Sequence, residues 1–310
     1  MGVPAPSLLT VMVGVLGFLG CCSALCFAVP ALRRPEARSV RRAINGWWPP
    51  ALLCWGAALL GWAGLTVLFA GVSAWTLREF LRLCPRADRD PLTRALAYLI
   101  VPVHYATVLA GWPTAFTRVW LVGAFAILPL ARVLARGPAG LLGALGRLQL
   151  GVALTVFALS HVASLARFGP RGLAGVGPVG YAALLLVCVM VNDGFQYVFG
   201  KRLGRHPLAP AISPKKTWEG LAGGALATAG VAALAGPLLT PFTRGQAAVV
   251  GLALALLGVL GDLFVSAIKR DVGVKDTGAV LPGQGGLLDR CDSLLLAAPA
   301  FAWALEAWCR

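Results

Sequence analysis

The sequence is a succession of apolar runs, most of them close to the ~20 residues that an α-helix needs to cross a bilayer. They cover residues 7–29, 48–77, 95–112, 115–135, 148–168, 178–199, 219–239, 246–268 and 291–309. Because hydrocarbon offers no hydrogen-bonding partner to a free backbone group, runs of this length fold as helices. The pattern therefore predicts an all-α, polytopic integral membrane protein with about nine apolar segments.

Composition agrees with a chain dissolved in lipid. Hydrophobic residues make up 58% of the 310 residues, charged residues only 13%, and the mean hydropathy is +0.80. A soluble domain has about 25% charged residues. There is no long polar linker, so we expect a single membrane domain over residues 1–310, with N-terminal helices in 1–190 and the polar loops in 191–310.

The net charge of +15 narrows the class of partner. The basic residues fall between apolar runs, as juxtamembrane charges do, and not on a folded polar surface with interleaved aromatic residues. This distribution argues against a nucleic acid and favours anionic lipid headgroups and phosphorylated substrates. The eight cysteines form no CxxC pair, which argues against a zinc site or a disulfide framework.

Orientation follows from the basic loops, which favour the cytoplasmic side. Loops 200–218 and 269–290 are both basic, and counting crossings places them on that side together with segment 78–94. The arginine-rich loop 30–46 conflicts with a single crossing at 48–77. We therefore expect that run to form a short hairpin that enters the membrane and returns, which places the N-terminus outside.

The strongest concentration of charge is "SAIKRDVGVKDTGAVLPGQGGLLDRCDS", residues 266–293. In the helix before it, Asp262, Ser266 and Lys269 are spaced i, i+4, i+7 and share one face. A carboxylate inside an apolar helix is costly and is expected to face a polar cavity with a partner. The alternative is a purely structural ion pair between Asp262 and Lys269.

Two further carboxylates, Asp289 and Asp292, open the next helix and share a face at i, i+3. Neighbouring carboxylates repel unless a cation lies between them or one is protonated. A hard divalent ion with oxygen ligands, Mg²⁺ or Mn²⁺, relieves that repulsion, so Asp262, Asp289 and Asp292 are the predicted metal ligands. The alternative is that the carboxylates only complement a helix N-terminus.

Between these helices lies the glycine-rich stretch "KDTGAVLPGQGG". Glycines permit close backbone approach, and Lys275 with the free amides has the chemistry to hold phosphates. A glycine-rich loop alone is weak evidence, because turns also need glycine. Flanked by basic and acidic residues, it indicates a metal–polyphosphate site.

A second polar segment is "VNDGFQYVFGKRLGRHPLAPAISPKKTWEG", residues 191–220. Ser213, followed by proline, has the pattern of a helix N-cap. Lys215 and Lys216 then lie in the first turn, where the helix dipole disfavours cations unless an anion is bound. The alternative is an ordinary positive-inside loop.

Other polar residues lie within the apolar runs or at their ends. Asp193 is the remaining intramembrane carboxylate, whereas Glu79 and Glu219 stand at the ends of apolar runs and are expected to be interfacial. His104 and His161 share no metal-ligand spacing and are expected to be hydrogen-bonded inside the bundle.

The run 266–293 resembles the signature of the phosphatidate cytidylyltransferases, or CDP-diacylglycerol synthases, which reads S-x-x-K-R-x4-K-D-x-G, a glycine-rich turn, then D-R-x-D. The matching residues are Ser266, Lys269, Arg270, Lys275, Asp276, Gly278, Asp289, Arg290 and Asp292. The segment "FGKRLGRHPLAPAISPKKTWEGLAGG" resembles the upstream motif of that family, including S-P-x-K-T-x-E-G at Ser213–Gly220. The resemblance is strong over about residues 190–300. One departure is Gln284, where the family usually has His in H-G-G.

The resemblance implies the reaction of CTP with phosphatidate to give CDP-diacylglycerol and pyrophosphate. It implies an all-helical membrane fold, often a homodimer, in the bacterial cytoplasmic membrane, with the active site facing the cytoplasm and residues 191–310 forming the catalytic part. Mg²⁺ or Mn²⁺ is the implied cofactor, with room for a second cation. The implied partners are CTP, phosphatidate and membrane lipids, and no nucleic acid.

Carried over to this sequence, the resemblance assigns the site. The implied catalytic residues are Asp289, Lys269, Arg270, Lys275, Asp276, Arg290 and Gln284. The implied substrate-binding residues are Ser213, Lys215, Lys216, Thr217, Lys201, Asp193 and Ser266. The implied metal ligands are Asp262, Asp289 and Asp292. A glutamine at 284 still donates and accepts hydrogen bonds but does not titrate.

Three alternatives remain open. A transporter also places carboxylates in the membrane, although it does not need the glycine-rich loop. A catalytically impaired family member would act as a binding or scaffold protein. A third is a cytidylyltransferase for another lipid phosphate, because a headgroup site does not reveal the lipid tail.

Overall fold

The structure is a computed structural model, and it describes residues 48–85, 90–169, 172–173, 176–278, 280 and 285–308, with scattered positions among the first 46. In chain order the elements are α1 (Trp48–Leu59), α2 (Gly61–Leu83), α3 (Pro91–Ala110), α4 (Pro113–Val122), α5 (Leu128–Arg136), α6 (Leu141–Val152), α7 (Leu159–Phe168), α8 (Val179–Leu203), β1 (Pro207–Ala209), β2 (Ser213–Thr217), α9 (Trp218–Leu239), α10 (Arg244–Asp271), α11 (Leu288–Cys291) and α12 (Leu294–Trp308).

The predicted fold class is confirmed: the protein is an all-α, polytopic integral membrane protein. Six helices in the described part are long and apolar enough to cross a membrane. They are α3, the continuous stretches Ala115–Arg136 and Leu141–Phe168, and α8, α9 and α10. Two of these stretches contain a π-helical turn, Gly123–Ile127 between α4 and α5 and Ala153–Ala158 between α6 and α7.

The apolar run 48–77 is broken into two helices, α1 and α2, which pack against each other. Gly61 begins α2 with a φ of 71°, a left-handed conformation that glycine adopts without steric penalty. Helix α2 then continues to Leu83, beyond the predicted end of the run. Re-entry of this pair into the membrane stays a prediction, and the arginine-rich loop 30–46 lies largely outside the described residues.

Local sequence signals set the ends of α3. Asp90 is its N-cap and accepts a hydrogen bond from Thr93 N at 2.7 Å, and Pro91 occupies the first helical position. The helix ends at Gly111, whose φ is 74°. These are the residue types that begin and end helices, because they satisfy free amides or tolerate a left-handed turn.

The histidine prediction is confirmed within the bundle. His104 on α3 is fully buried, with Nε2 2.9 Å from Ser160 Oγ on α7. His161 is also buried, and its Nδ1 lies 2.8 Å from Phe157 O. Both rings pack on Phe116 from α4. The N-terminal helices are therefore joined by an aromatic core in which the histidines hydrogen-bond within the protein.

Helices α8, α9 and α10 pack closely through small residues. A Cβ added to Gly251 on α10 would lie 2.4 Å from Ala232 Cβ on α9, and one added to Gly236 would lie 2.3 Å from Ala247 Cβ. Small residues allow this close helix contact in membranes, where dispersion and not the hydrophobic effect holds helices together. The three helices form the frame that carries the polar segments.

One local prediction is wrong. Ser213 does not cap a helix; it begins strand β2, which pairs antiparallel with β1. The N-cap of α9 is Thr217, whose Oγ1 accepts from Gly220 N at 3.1 Å. Pairing with β1 extends the chain at Ser213, and Pro214 is tolerated in such a two-stranded ribbon because it needs no ladder donor there. Lys215 and Lys216 therefore lie on a hairpin and not in a first helical turn.

Glu219 fixes the base of this hairpin. Its Oε2 accepts hydrogen bonds from Arg205 N at 3.1 Å and His206 N at 3.3 Å, and its Oε1 lies 2.5 Å from His206 Nδ1. One carboxylate at the start of α9 thus closes the turn that follows α8. This contact sets the direction in which the hairpin leaves the helices.

Candidate active site

The two polar segments meet at one ion pair. Lys216 Nζ on the hairpin lies 2.5 Å from Asp262 Oδ2 on α10. Ser266, one turn further along α10, donates to Asp262 Oδ1 at 3.1 Å. The alternative sequence interpretation, a pair between Asp262 and Lys269, is wrong, because Lys269 pairs with Asp289. The hairpin of the first polar segment is thus held against α10 four residues before the second polar segment begins.

Arg270 makes a second bridge between the segments. Its Nε donates to Ile212 O on the hairpin at 3.2 Å, and its Nη1 donates to Val274 O at 3.1 Å. Lys275 and Asp276 are exposed beside it, as is Lys215 on the hairpin. Lys201 is also exposed and lies over the Tyr197 ring, 5.9 Å from the centroid.

Asp193, Asp262 and Asp292 form what we call the three-aspartate cluster. They come from α8, α10 and the turn between α11 and α12, and each interacts electrostatically with the other two. Lys216 is a counter-charge for both Asp193 and Asp292. Arg290 acts on Asp193, and Lys269 acts on Asp292.

Close packing brings Asp292 to α10. A Cβ at Gly261 would lie only 2.4 Å from Asp292 O, so a glycine one residue before Asp262 admits the turn after α11. Ser293 N donates to Asp292 Oδ1 at 2.8 Å, and Ser293 Oγ lies 3.4 Å from Asp193 Oδ1. Serine 293 therefore links the carboxylates of two elements.

Asp289 has a different environment from the three-aspartate cluster. Its Oδ1 accepts from Lys269 Nζ at 2.7 Å, and both side chains are less than a tenth exposed. Its Oδ2 accepts from Gly286 N at 2.8 Å, Thr277 N at 2.9 Å and Thr277 Oγ1 at 3.0 Å. Apart from Lys269 on α10, the donors to Asp289 belong to the glycine-rich loop, so its contacts hold that loop against α10.

Glu79 is a site residue that the sequence interpretation missed. It was expected to be interfacial, but it is 2% exposed in α2. Its carboxylate accepts from Leu287 N at 3.0 Å, Leu288 N at 2.8 Å and Thr277 Oγ1 at 3.2 Å. The available signal was its isolation, because Glu79 is the only acidic residue between Glu36 and Asp88.

The glycines of the loop fit around Glu79. A Cβ at Gly278 would lie 2.7 Å from Glu79 Oε1, and one at Gly286 would lie 2.5 Å from Glu79 Oε2. Gly285 has a φ of 85°, which requires glycine. The free amides of the stretch 275–286 were predicted to hold phosphate, but in this structure Thr277 N and Gly286 N donate to Asp289, and the two amides that follow the stretch donate to Glu79. Gln284 lies outside the described residues.

The predicted metal ligands divide between these environments. Asp262 and Asp292 belong to the three-aspartate cluster, whereas the oxygens of Asp289 accept donors from the loop and Lys269. Across the part of the chain that the structure describes, no three His, Cys, Asp or Glu side chains are arranged to hold a metal ion. Carboxylate oxygens are the ligands that a hard divalent cation prefers, so a cation at the three-aspartate cluster stays a prediction.

Comparison with known proteins gives matches along most of the chain. The family model described as the cytidylyltransferase family matches residues 40–308. An Escherichia coli K12 protein, described as uncharacterized protein YnbB, is 36% identical over 285 residues, 89% of this chain and 91% of that protein.

Named enzymes match a shorter part. The phosphatidate cytidylyltransferase of Mycobacterium bovis is 38% identical over 152 residues, 49% of this chain and 49% of that enzyme. That of Staphylococcus aureus strain COL is 42% identical over 121 residues, 38% of this chain and 46% of that enzyme. The matched region therefore covers about half the length of each of these two enzymes.

Proposed function

The chain belongs to the cytidylyltransferase family, and from that premise we propose that it transfers the cytidylyl group of CTP to phosphatidate. The products are CDP-diacylglycerol, for phospholipid synthesis, and pyrophosphate. The observation that carries the proposal is the hydrogen bond from Arg270 Nε to Ile212 O, which joins the two motif segments beside the ion pair of Lys216 with Asp262 on α10. The names of the mycobacterial and staphylococcal relatives support phosphatidate as the acceptor.

The reaction brings two polyanions together at a bilayer. A phosphatidate oxygen forms a bond to the α-phosphorus of CTP, while the bond from that phosphorus to the pyrophosphate oxygen breaks in line. Catalysis then consists of positioning and charge neutralisation, and it needs no covalent enzyme intermediate. A phosphate monoester is largely dianionic at neutral pH, so the acceptor needs little deprotonation. A non-titrating Gln284 is compatible with this chemistry.

The basic residues divide into two groups under this proposal. Lys269, Arg270, Lys275 and Arg290 serve the phosphates of CTP. Lys216, Lys215 and Lys201 serve the phosphate of the lipid. The contact of Arg270 with the hairpin and that of Lys216 with α10 support a site shared by both groups. In the conformation described, Lys269 also holds Asp289.

We propose Mg²⁺ or Mn²⁺ as the cofactor, with Asp262 and Asp292 as ligands and Asp193 beside them. When bound, the cation neutralises charge on the nucleotide phosphates. Asp289, the third ligand expected from the resemblance, is not one of the ligands in this proposal. Its filled acceptors favour a role in holding the loop.

A second candidate is cytidylyl transfer to another lipid phosphate, such as a prenyl or archaeol type. The observation that favours it is the extent of the matches: the relative similar over 91% of its length is described as uncharacterized, whereas the named phosphatidate enzymes match over about half. In either case we propose that the site faces the cytoplasm of a bacterial cell, where CTP is available, and that the protein assembles as a homodimer.

The test is an assay of purified protein in liposomes with CTP labelled at the α-phosphate. Phosphatidate, a polyprenyl phosphate and an archaeol-type phosphate are offered separately, and pyrophosphate and labelled lipid are measured. We expect both products with phosphatidate. Labelled product with another lipid alone would establish the second candidate. CTP binding without pyrophosphate release from any lipid would indicate a scaffold, and substrate flux into sealed vesicles without CTP would indicate a transporter.

A further inference from the structure

A buried carboxylate outside both motif segments is joined directly to the glycine-rich loop. Glu79 lies on α2, more than 200 positions before Leu287 and Leu288, whose backbone amides it accepts at 3.0 and 2.8 Å. The same carboxylate accepts from Thr277 Oγ1 at 3.2 Å and from Trp75 Nε1 at 3.2 Å. It therefore ties both ends of the loop, residue 277 and residues 287–288, to one helix of the N-terminal half.

Both carboxylate oxygens of Glu79 accept hydrogen bonds. Oε1 accepts from Leu287 N and the Trp75 indole, and Oε2 accepts from Leu288 N and the Thr277 hydroxyl. Hydrogen bonds to an ionised group are about twice as strong as neutral ones. A glutamine in this position would present an NH₂ group to a backbone N–H, so the isosteric amide would lose at least one of these contacts.

The loop positions held by Glu79 adjoin site residues. Leu288 directly precedes Asp289, and the backbone N–H of Thr277 donates to Asp289 Oδ2 at 2.9 Å. Arg290 and Asp292 follow within the next turn and act on the three-aspartate cluster. A shift of the backbone at 287–288 thus moves the residues that complete the cluster.

We propose that Glu79 is a positioning residue for cytidylyl transfer: it holds residues 277 and 287–288 so that Asp289, Arg290 and Asp292 stand correctly against α8 and α10. The inference rests on the proposed function for its kinetic consequence. Glu79 acts through the loop and does not contact reacting atoms. The close fit of Gly278 and Gly286 around its carboxylate supports this role, because side chains at those positions would displace the loop.

The experiment compares Glu79→Gln with the matched control Glu306→Gln, which changes an exposed glutamate of α12. In Glu79→Gln, kcat should fall ~10- to 100-fold, since misplacement of site groups by about 1 Å has effects of this size. The KM for CTP should change less than about threefold, because the bulk of the basic site is unaltered. The control should match the parent.

Hydrogen–deuterium exchange of the full-length protein separates positioning from general stability. We expect faster exchange in peptides covering 277–293 of Glu79→Gln, with unchanged exchange in α8, α9 and α10. A second variant, Trp75→Phe, removes one donor from Glu79 and should change kcat and local exchange in the same direction but less. It keeps the inference testable if Glu79→Gln does not fold.

Parental kcat and parental exchange in Glu79→Gln would overturn the inference, as would faster exchange spread evenly over the whole bundle. If the parent itself transfers no cytidylyl group to any lipid, the proposed function fails. The exchange comparison then still decides whether Glu79 holds the loop.

Discussion

The polar site contains two kinds of carboxylate, and their surroundings differ. Glu79 and Asp289 accept hydrogen bonds from backbone amides, the Thr277 hydroxyl and Lys269. In the three-aspartate cluster Asp262 accepts from Lys216 and Ser266, but the three carboxylates also act electrostatically on one another. Acids saturated by protein donors stabilise a fold, whereas acids that repel one another leave negative charge for a cation to balance.

Acidic residues that look alike in the sequence therefore have different roles in the structure. Asp289 and Asp292 are i, i+3 on one short helical turn, yet Asp289 is held by the loop and Asp292 belongs to the cluster. Variants that remove one of these roles and leave the other test the distinction. Activity and stability should therefore respond differently to changes in the two groups.

The largest effect is expected for Asp262→Asn. Turnover of CTP should fall ~10²- to 10³-fold, the size seen when one electrostatic contributor to a site is removed. The free energy of unfolding should change by less than about 1 kcal/mol, because relief of like-charge repulsion offsets the lost Lys216 pair. The measurements are pyrophosphate release and denaturant unfolding in mixed micelles. A stability loss without loss of turnover would assign Asp262 to the structural group.

The next largest effect, a loss of stability, is expected for Asp289→Asn. Lys269 loses its direct ion-pair partner where both side chains are less than a tenth exposed, so unfolding should become easier by about 3 kcal/mol. Denaturant unfolding in mixed micelles measures this change. The control is Asp271→Asn at the exposed end of α10. Unchanged stability in Asp289→Asn would remove the distinction between the two groups.

A smaller effect is expected for Gly286→Ala. The added Cβ would lie 2.3 Å from Thr277 Oγ1 and 2.5 Å from Glu79 Oε2, and overpacking of this kind costs about 2 kcal/mol. Thermal unfolding by tryptophan fluorescence measures the loss. Gly230→Ala on α9 is the matched control, because nothing lies within 4 Å of its added Cβ. Equal behaviour of the two variants would show that the loop does not close tightly on Glu79.

The smallest effect is expected for Gln284→His, which restores the residue usual in the family. Since the lipid phosphate is already largely dianionic, kcat should stay within about threefold of the parent. Initial rates at saturating CTP measure it. A gain of ~10²-fold or more, the size of a general-base contribution, would mean that the chain is impaired by its glutamine.

The sequence predicted the helices and the composition of the site better than its internal contacts. Long apolar runs have one solution in lipid, so helix positions followed directly. The sequence predicted that the polar loops 200–218 and 269–290 lie on the same side, and Arg270 does donate to Ile212 O across them. The hairpin at Ser213–Thr217 was missed because its pairing with β1 overrides the local N-cap pattern.

Sequence patterns do not show which acidic residues hold the loop and which belong to the three-aspartate cluster. The spacing places Asp289 beside Asp292 in the sequence. The backbone amides that donate to Asp289, however, belong to Thr277 and Gly286 in the glycine-rich loop. Glu79 contacts residues more than 200 positions away, a relation that no local pattern encodes. Its isolation in an apolar run was a signal of a functional or structural partner, though not of which one.

We propose that the three-aspartate cluster, and not Asp289, is the acidic group that binds a divalent cation. Mn²⁺ binding to purified protein, measured by electron paramagnetic resonance, tests this without any assay of activity. Asp262→Asn and Asp292→Asn should each weaken Mn²⁺ binding by ~10-fold or more, since each removes a carboxylate ligand, while Asp289→Asn should retain parental affinity. Loss of binding in Asp289→Asn with retention in the other two would contradict the account.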